Sequence, residues 1–298
     1  MTVSFGNTVE LVIMLSILAS GQAGVVKGQI TGSIISNSLL GLGLAIVFGS
    51  VGRARQQFNR ARASQLSSLL VLSMIALLIP ALFDLSVRVT HSIHRPLLDE
   101  HLSLGVSCVL IVVYFANLVY TLFTHRGVFA FSHDGDKGPP RVDMSPWPLW
   151  RALAVLGAAT VATTVEAHFI SVGLERTASE IGLSPFFLGV ILLAIVGNAA
   201  EIVAAVYFAR RGRMGLAISI TVGSTIQVAL LLAPLLVLVS RFTAHPMNLV
   251  FSSPLELVAI AAVAFAVNAV THDGETTWFE GLLLLSIYAI LGLAFYFV

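Results

Sequence analysis

Charge and sulfur are the scarcest commodities in this sequence. One cysteine, Cys108, among 298 residues excludes an internal disulfide and a thiolate-bound metal cluster. Asp, Glu, Lys and Arg make up only 10% of the chain, where a soluble domain carries about a quarter. A net charge of +1 gives no electrostatic reason to expect nucleic acid as a partner. What fills the space is apolar: 57% of residues are hydrophobic and the mean hydropathy is +0.95. Such a chain is an all-α integral membrane protein, since only a helix satisfies its own backbone polar groups within lipid over such uniformly apolar runs.

Nine apolar segments can be traced, roughly 6–21, 25–49, 66–88, 103–124, 149–174, 185–209, 214–240, 253–271 and 279–297. Polar and turn-forming stretches separate them, among them the Arg-rich loop from Arg53 to Arg62 and the Gly/Pro-rich run from His133 to Pro148. All but the first are long enough to span the ~30 Å hydrocarbon core.

Within these segments one motif occurs twice. Gly6-Asn7-Thr8-Val9-Glu10 returns as Gly197-Asn198-Ala199-Ala200-Glu201, 191 residues later, inside another apolar segment. The same offset carries Gly21 onto Gly212 and Gly32-Ser33 onto Gly223-Ser224. The copies lie five spans apart and therefore cross in opposite directions, which makes the chain two inverted-topology repeats of about five transmembrane helices. Residues 1–132 form the first repeat with about four helices, 133–148 a cytoplasmic linker, and 149–298 the second repeat with five. By comparison with the second copy, Met1 falls in mid-helix, so the first repeat reads as truncated at its N-terminus. Counting Lys and Arg in alternate loops gives eleven on the side of Arg53 to Arg62 and five on the side of Lys27. The richer side is assigned to the cytoplasm, which leaves the C-terminus on the other side. Short loops and Ala-, Arg- and Val-rich helices point to a bacterial plasma membrane.

A carboxylate at bilayer depth is costly to keep, and a matched pair of them points to a polar cargo. Asn7 and Glu10, like Asn198 and Glu201, are three apart and share a helix face. On the following helix Ser33, Ser36 and Asn37 correspond in position to Ser224 and Gln227. Meeting at mid-membrane, these side chains offer oxygen ligands with a formal charge of −2, which suits a hard divalent cation. The same site is neutral with two protons bound, which suggests a coupling rule in which one cation exchanges for protons at the same groups. The alternative, that each Glu merely bonds a neighbouring helix, is weaker for a matched pair than for a single acid.

Other polar residues carry less. Glu166 is a further buried acid that either relays protons or pairs with Thr163 or Ser171, while His168 points elsewhere and reads as packing. Glu256 reads as interfacial, and Asp273, Glu275 and Glu280 as solvated charges at a cytoplasmic boundary.

The stretches "GNTVEL…GSIISN" and "FFLGVILLAIVGNAAE…GSTIQVALLLAPLLVL" resemble the two signature repeats of calcium/proton exchangers, in the calcium:cation antiporter superfamily. The closing "FSSPLELVA…THDGETTWFEGLLLLSIYAILGLAFYF" is similar to that family's last two helices. The resemblance implies secondary active Ca²⁺ efflux driven by protons, with no enzymatic activity and no cofactor beyond the transported Ca²⁺ and H⁺. It implies that Glu10 and Glu201 are the ion-binding groups, that Asn7, Asn198, Ser33, Ser36, Asn37, Ser224 and Gln227 support them, and that Glu166 takes the place of the family's acid before the second repeat. The His that usually follows "GNAAE" is replaced by Ile202. Exchange for Na⁺ or K⁺, or transport of Mn²⁺ or Mg²⁺, is the nearest alternative. A channel would more naturally use symmetric rings of ligands from several subunits, and an intramembrane protease would need a nucleophile and base or an aspartate dyad, against which two Glu flanked by Asn and no matched Asp pair argue.

Overall fold

A computed structural model of the chain describes residues 7–89, 95–121, 182–243, 245–251 and 253–297, together with a few positions between 150 and 169. The linker assigned to 133–148, most of the segment 149–174, and Gly6, Thr163, Glu166, His168 and Ser171 lie outside the described residues.

Eight of the nine apolar segments emerge as helical. In chain order they are α1 (Thr8–Ala19), α2 (Ala23–Gly49), α3 (Arg60–Val89), α4 (Arg95–Val119), α5 (185–197), α6 (Ala199–Arg210), α7 (Met214–Ser240), α8 (Pro254–Thr271) and α9 (Trp278–Tyr296). The segment 185–209, expected as one helix, is two: α5 and α6 meet at 55°. Six of the described helices are long and apolar enough to cross a membrane, and the bent α5–α6 pair makes a seventh span. The strand content is one antiparallel ladder, β1 (Gln56–Gln57) against β2 (Glu275–Thr276), which ties the loop before α3 to the loop before α9.

The duplication read from sequence is visible in backbone geometry. α1 ends on Gly21 at φ +84° and α6 on Gly212 at φ +75°, the left-handed conformation that glycine adopts without penalty. Gly21 donates its N–H to the Leu18 carbonyl and Gln22 to that of Ile17. Gly212 donates to Ala209 and Arg213 to Phe208, the same bonds 191 residues later. Both long helices that follow are α-helical, then π-helical (Ser36–Gly41 in α2, Val228–Leu232 in α7), then α-helical again.

The copies are also inverted. Gly21 sits against His245 at one end of the bundle, where Lys27 bonds Asn248 and Arg241 pairs with Glu100. Gly212 sits against Arg53 at the other end, beside the β1–β2 ladder and the Arg55–Glu275 pair. Equivalent turns at opposite ends are what a pseudo-twofold axis in the membrane plane requires. The Arg-rich loops thus gather at one end, as the alternation of loops demands.

The core is built on α2 and α7, the most buried helices, while α4 and α9 turn most of their surface outward. The second halves of both central helices pack on the short helix of the opposite repeat, α2 on α6 and α7 on α1. Small residues permit the closest crossing. A Cβ placed on Gly32 would lie 2.1 Å from the Val190 carbonyl oxygen, and one on Gly28 would lie 3.2 Å from the Phe186 carbonyl oxygen. The Gly28-x-x-x-Gly32 spacing therefore seats α2 directly on the backbone of α5.

Candidate ion-binding site

Asn7 and Asn198 hold the same structural position. Each is the residue at which a helix begins, with φ/ψ of −90°/18° and −99°/7°, and each accepts the first intrahelical bond, from Leu11 and Ile202 respectively. Glu10 and Glu201 lie in the first turns that follow, where the positive end of the helix dipole favours a carboxylate. The pattern Asn-x-x-Glu could close a capping box, in which each side chain serves its own helix end. Neither copy does so, since neither Asn makes a side-chain cap bond. The two carboxamides instead reach across to the opposite repeat.

Asn7 donates to the Ser224 carbonyl (3.3 Å) and accepts from the Ser224 hydroxyl (2.9 Å). Asn198 donates to the hydroxyls of Ser33 (3.2 Å) and Ser36 (3.1 Å) and accepts from the amide of Asn37 (2.6 Å). The Asn37 amide also donates to the Ser224 hydroxyl at 3.0 Å. Ser33 in turn donates to Glu10 Oε1 at 2.5 Å. An unbroken chain of polar contacts therefore runs from Glu10 through Ser33, Asn198, Asn37 and Ser224 to Asn7. It crosses between repeats at every link but the first.

The break between α5 and α6 belongs to this arrangement. The Ala194 carbonyl receives both the backbone N–H of Asn198 (3.1 Å) and its side-chain amide (2.7 Å), so the terminated helix keeps its last acceptor satisfied. Hydropathy cannot register such a break, because the residues on both sides are equally apolar.

Of the site residues expected from sequence, Asn7, Glu10, Ser33, Ser36, Asn37, Asn198, Ser224 and Gln227 are all buried, and Glu201 is half-buried. The charges of Glu10 and Glu201 repel one another across the interface between repeats. Each carboxylate keeps one buried oxygen, Oε2, with no hydrogen-bond partner among the described residues. Ile202, where the resembled family has His, is buried and lies beside Gly41 of the α2 π-segment.

Two expectations need correction. Glu256 is not interfacial: it is fully buried, accepts from Thr31 (3.0 Å), and closes a capping box with Ser253 at the start of α8. Its charge attracts Lys27, which donates to Asn248 Oδ1 and the Val250 carbonyl, both at 2.6 Å. Ser253 followed three residues later by Glu256 is a capping signature that could have shown this in the sequence. Glu280 is likewise a cap rather than a free surface charge, accepting the Thr277 N–H at 2.7 Å.

Comparison with known proteins identifies the family. The family model for sodium/calcium exchanger protein matches residues 3–123 and 151–297. The Ca(2+)/H(+) antiporter of Aphanothece halophytica is 37% identical over 306 residues, spanning 99% of this chain and 80% of that protein. The Ca(2+)/H(+) antiporter ChaA of Bacillus subtilis is 37% identical over 297 residues, 98% of this chain and 81% of its own. The solved structure of native YfkE superposes with a TM-score of 0.82 at 34% identity, covering 99% of this chain and 82% of that one. With the family model covering both repeats and these relatives spanning nearly the whole sequence, the chain belongs to the sodium/calcium exchanger protein family.

Proposed function

We propose that this protein is a secondary active transporter that exchanges Ca²⁺ for H⁺ across a membrane, with Glu10 and Glu201 as the groups that hold either the cation or protons. The observation that carries this reading is the polar chain from Glu10 to Asn7, which alternates between the inverted repeats and passes through Asn198, three residues before the half-buried Glu201 whose charge opposes that of Glu10. Two like charges at that depth need neutralising, and one Ca²⁺ or two protons do so equally in charge.

The ligand set is hard oxygen throughout. Carboxylate oxygens of Glu10 and Glu201 supply the charge. Carboxamide and hydroxyl oxygens of Asn7, Asn198, Ser33, Ser36, Asn37, Ser224 and Gln227 complete and orient the shell. Glu166 is a candidate to pass protons to this shell. Because the two repeats are inverted, rocking one against the other opens the site to each side in turn, and only the neutral loaded states make the crossing cheaply. Ca²⁺ and H⁺ are cargo, and no resident cofactor enters the scheme. The loops holding Arg53 to Arg62 and Arg210 to Arg213 face the cytoplasm of a bacterial plasma membrane, and the C-terminus faces outward.

Everted membrane vesicles carrying an acid-inside gradient test the reading. Added Ca²⁺ collapses the gradient, and Glu201→Gln abolishes the response, a loss of about 100-fold or more. Collapse by Na⁺ or K⁺ with none by Ca²⁺ rejects it.

A further inference from the structure

Three polar residues near the start of α2 have apolar counterparts in the second repeat. Lys27, Gln29 and Thr31 correspond, at the 191-residue offset, to Ile218, Ile220 and Val222. Lys27 and Thr31 have partners, at Asn248, Val250 and Glu256. Gln29 does not. It is fully buried, and both its amide nitrogen and its carbonyl oxygen lack a hydrogen-bond partner among the described residues. Burying a carboxamide in that condition is costly, so a hydrophobic residue like its counterpart Ile220 would serve a purely structural position better.

Its placement explains its retention. Gln29 lies one helical turn before Ser33, on the face that carries Ser33, Ser36 and Asn37. A Cβ on Gly197 would sit 3.6 Å from Glu10 Oε1 and 3.8 Å from Gln29 Nε2. Both polar groups thus flank one small space, kept open by the missing side chain of Gly197. Oε2, the second oxygen of the Glu10 carboxylate, has no hydrogen-bond partner among the described residues. Orphaned polar atoms gathered around a space that a methyl group would fill are the signature of a polar ligand rather than of packing.

We propose that Gln29 is a further ligand of the transported cation: with its amide turned so that the carbonyl oxygen takes the place of the Nε2 that faces Gly197, it coordinates the ion held by Glu10, at a position the internal repeat does not supply. This inference rests on the exchanger reading above. It also gives the two half-sites different ligand counts, so the cation is held more closely by the half built on α1 and α2.

The test uses Gln29→Met, which keeps the side-chain length and removes the hard oxygen, in the full chain. Ca²⁺-dependent exchange in everted vesicles gives KM and kcat, and thermal unfolding of the purified protein with and without Ca²⁺ gives binding without transport. The Ca²⁺ KM rises about tenfold or more, the loss of one ligand to a charged group. The Ca²⁺-induced rise in Tm shrinks accordingly, while the Tm without Ca²⁺ stays level or increases. A structural residue gives the opposite pattern, with a lower Tm without Ca²⁺ and an unchanged KM, and that result overturns the proposal. Gly197→Ala is the second variant. Its methyl meets Glu10 and Gln29 only at ordinary contact distances, so the fold tolerates it while the space is filled, and Ca²⁺ affinity falls with it. Unchanged affinity in both variants overturns the proposal as well. Failure of the wild-type chain to exchange Ca²⁺ for H⁺ strikes instead at the exchanger reading, and the Ca²⁺-induced Tm shift still judges Gln29.

Discussion

Asn198 and Asn7 are equivalent in the repeat and unequal in the site. Asn198 makes side-chain bonds to Ser33, Ser36, Asn37 and the Ala194 carbonyl, whereas both side-chain bonds of Asn7 go to Ser224. Removing the Asn198 side chain therefore takes one of two donors from the Ala194 carbonyl and frees the hydroxyl that holds Glu10. Removing Asn7 disturbs one serine. Asn198→Ala lowers Ca²⁺-driven proton movement in vesicles roughly thirtyfold and Asn7→Ala roughly fivefold, if each orphaned buried group costs about 1 kcal/mol or somewhat more. Equal losses would mean that the polar chain does not divide the labour in this way. The identities of both residues were legible from the duplicated pentapeptide, because a conspicuous repeat of Asn and Glu in apolar surroundings has few structural explanations. Gln29 was not legible for the complementary reason. Matching the two copies directs attention to positions they share, and the partner of Gln29 is Ile220. Glu256 was misread because its distance from a helix end says nothing about what covers that end.

Helices in this protein are shaped by backbone contacts as much as by hydropathy. The apolar pattern located eight described segments, since each must satisfy lipid or core along its length, but α3 begins six residues and α4 eight residues before its apolar run. It missed the 55° break between α5 and α6, because apolarity reports the transfer of side chains and is silent on the continuity of the backbone. At the break the Asn198 side chain adds a second donor to the Ala194 carbonyl, which also keeps the Asn198 backbone N–H. Glycine positions discriminate in the same way. Gly32 and Gly24 both lie on α2, yet a Cβ on Gly32 would overlap Val190 O at 2.1 Å and reach Ala194 at 2.7 Å, while one on Gly24 meets nothing within 4 Å. Gly32→Ala must force α2 away from α5, at about 3 kcal/mol, and shift Ser33 out of line with Glu10. Gly24→Ala is neutral or stabilising by up to about 1 kcal/mol, from helix propensity alone. Thermal unfolding in detergent separates the two, and a tolerated Gly32→Ala would contradict the close crossing.

At the scale of the whole molecule, inverted repeats place one shared pair of acids between two ends that are chemically distinct. One end collects Arg53, Arg55 and the turn at Gly212; the other holds Lys27, Arg241 and the turn at Gly21. Coupling then requires no separate proton path of its own, only that the cation and protons compete for the same oxygens. The sign of the pH dependence follows. Acidification on the side to which the site is open protonates Glu10 and Glu201 and weakens Ca²⁺ binding, whereas raising the pH strengthens it until both carboxylates are ionised. If each Ca²⁺ displaces two protons, the apparent Kd changes by about 100-fold per pH unit in the acid limb, and by about tenfold if it displaces one. The Ca²⁺-induced shift in Tm measured across a pH series reads this slope without transport. Glu10→Gln removes one of the competing groups and should lower the slope from two protons towards one, while weakening Ca²⁺ at every pH. A slope that survives Glu10→Gln and Glu201→Gln intact would place the exchanged protons on other groups and separate the two cargoes, leaving the paired acids to bind Ca²⁺ alone.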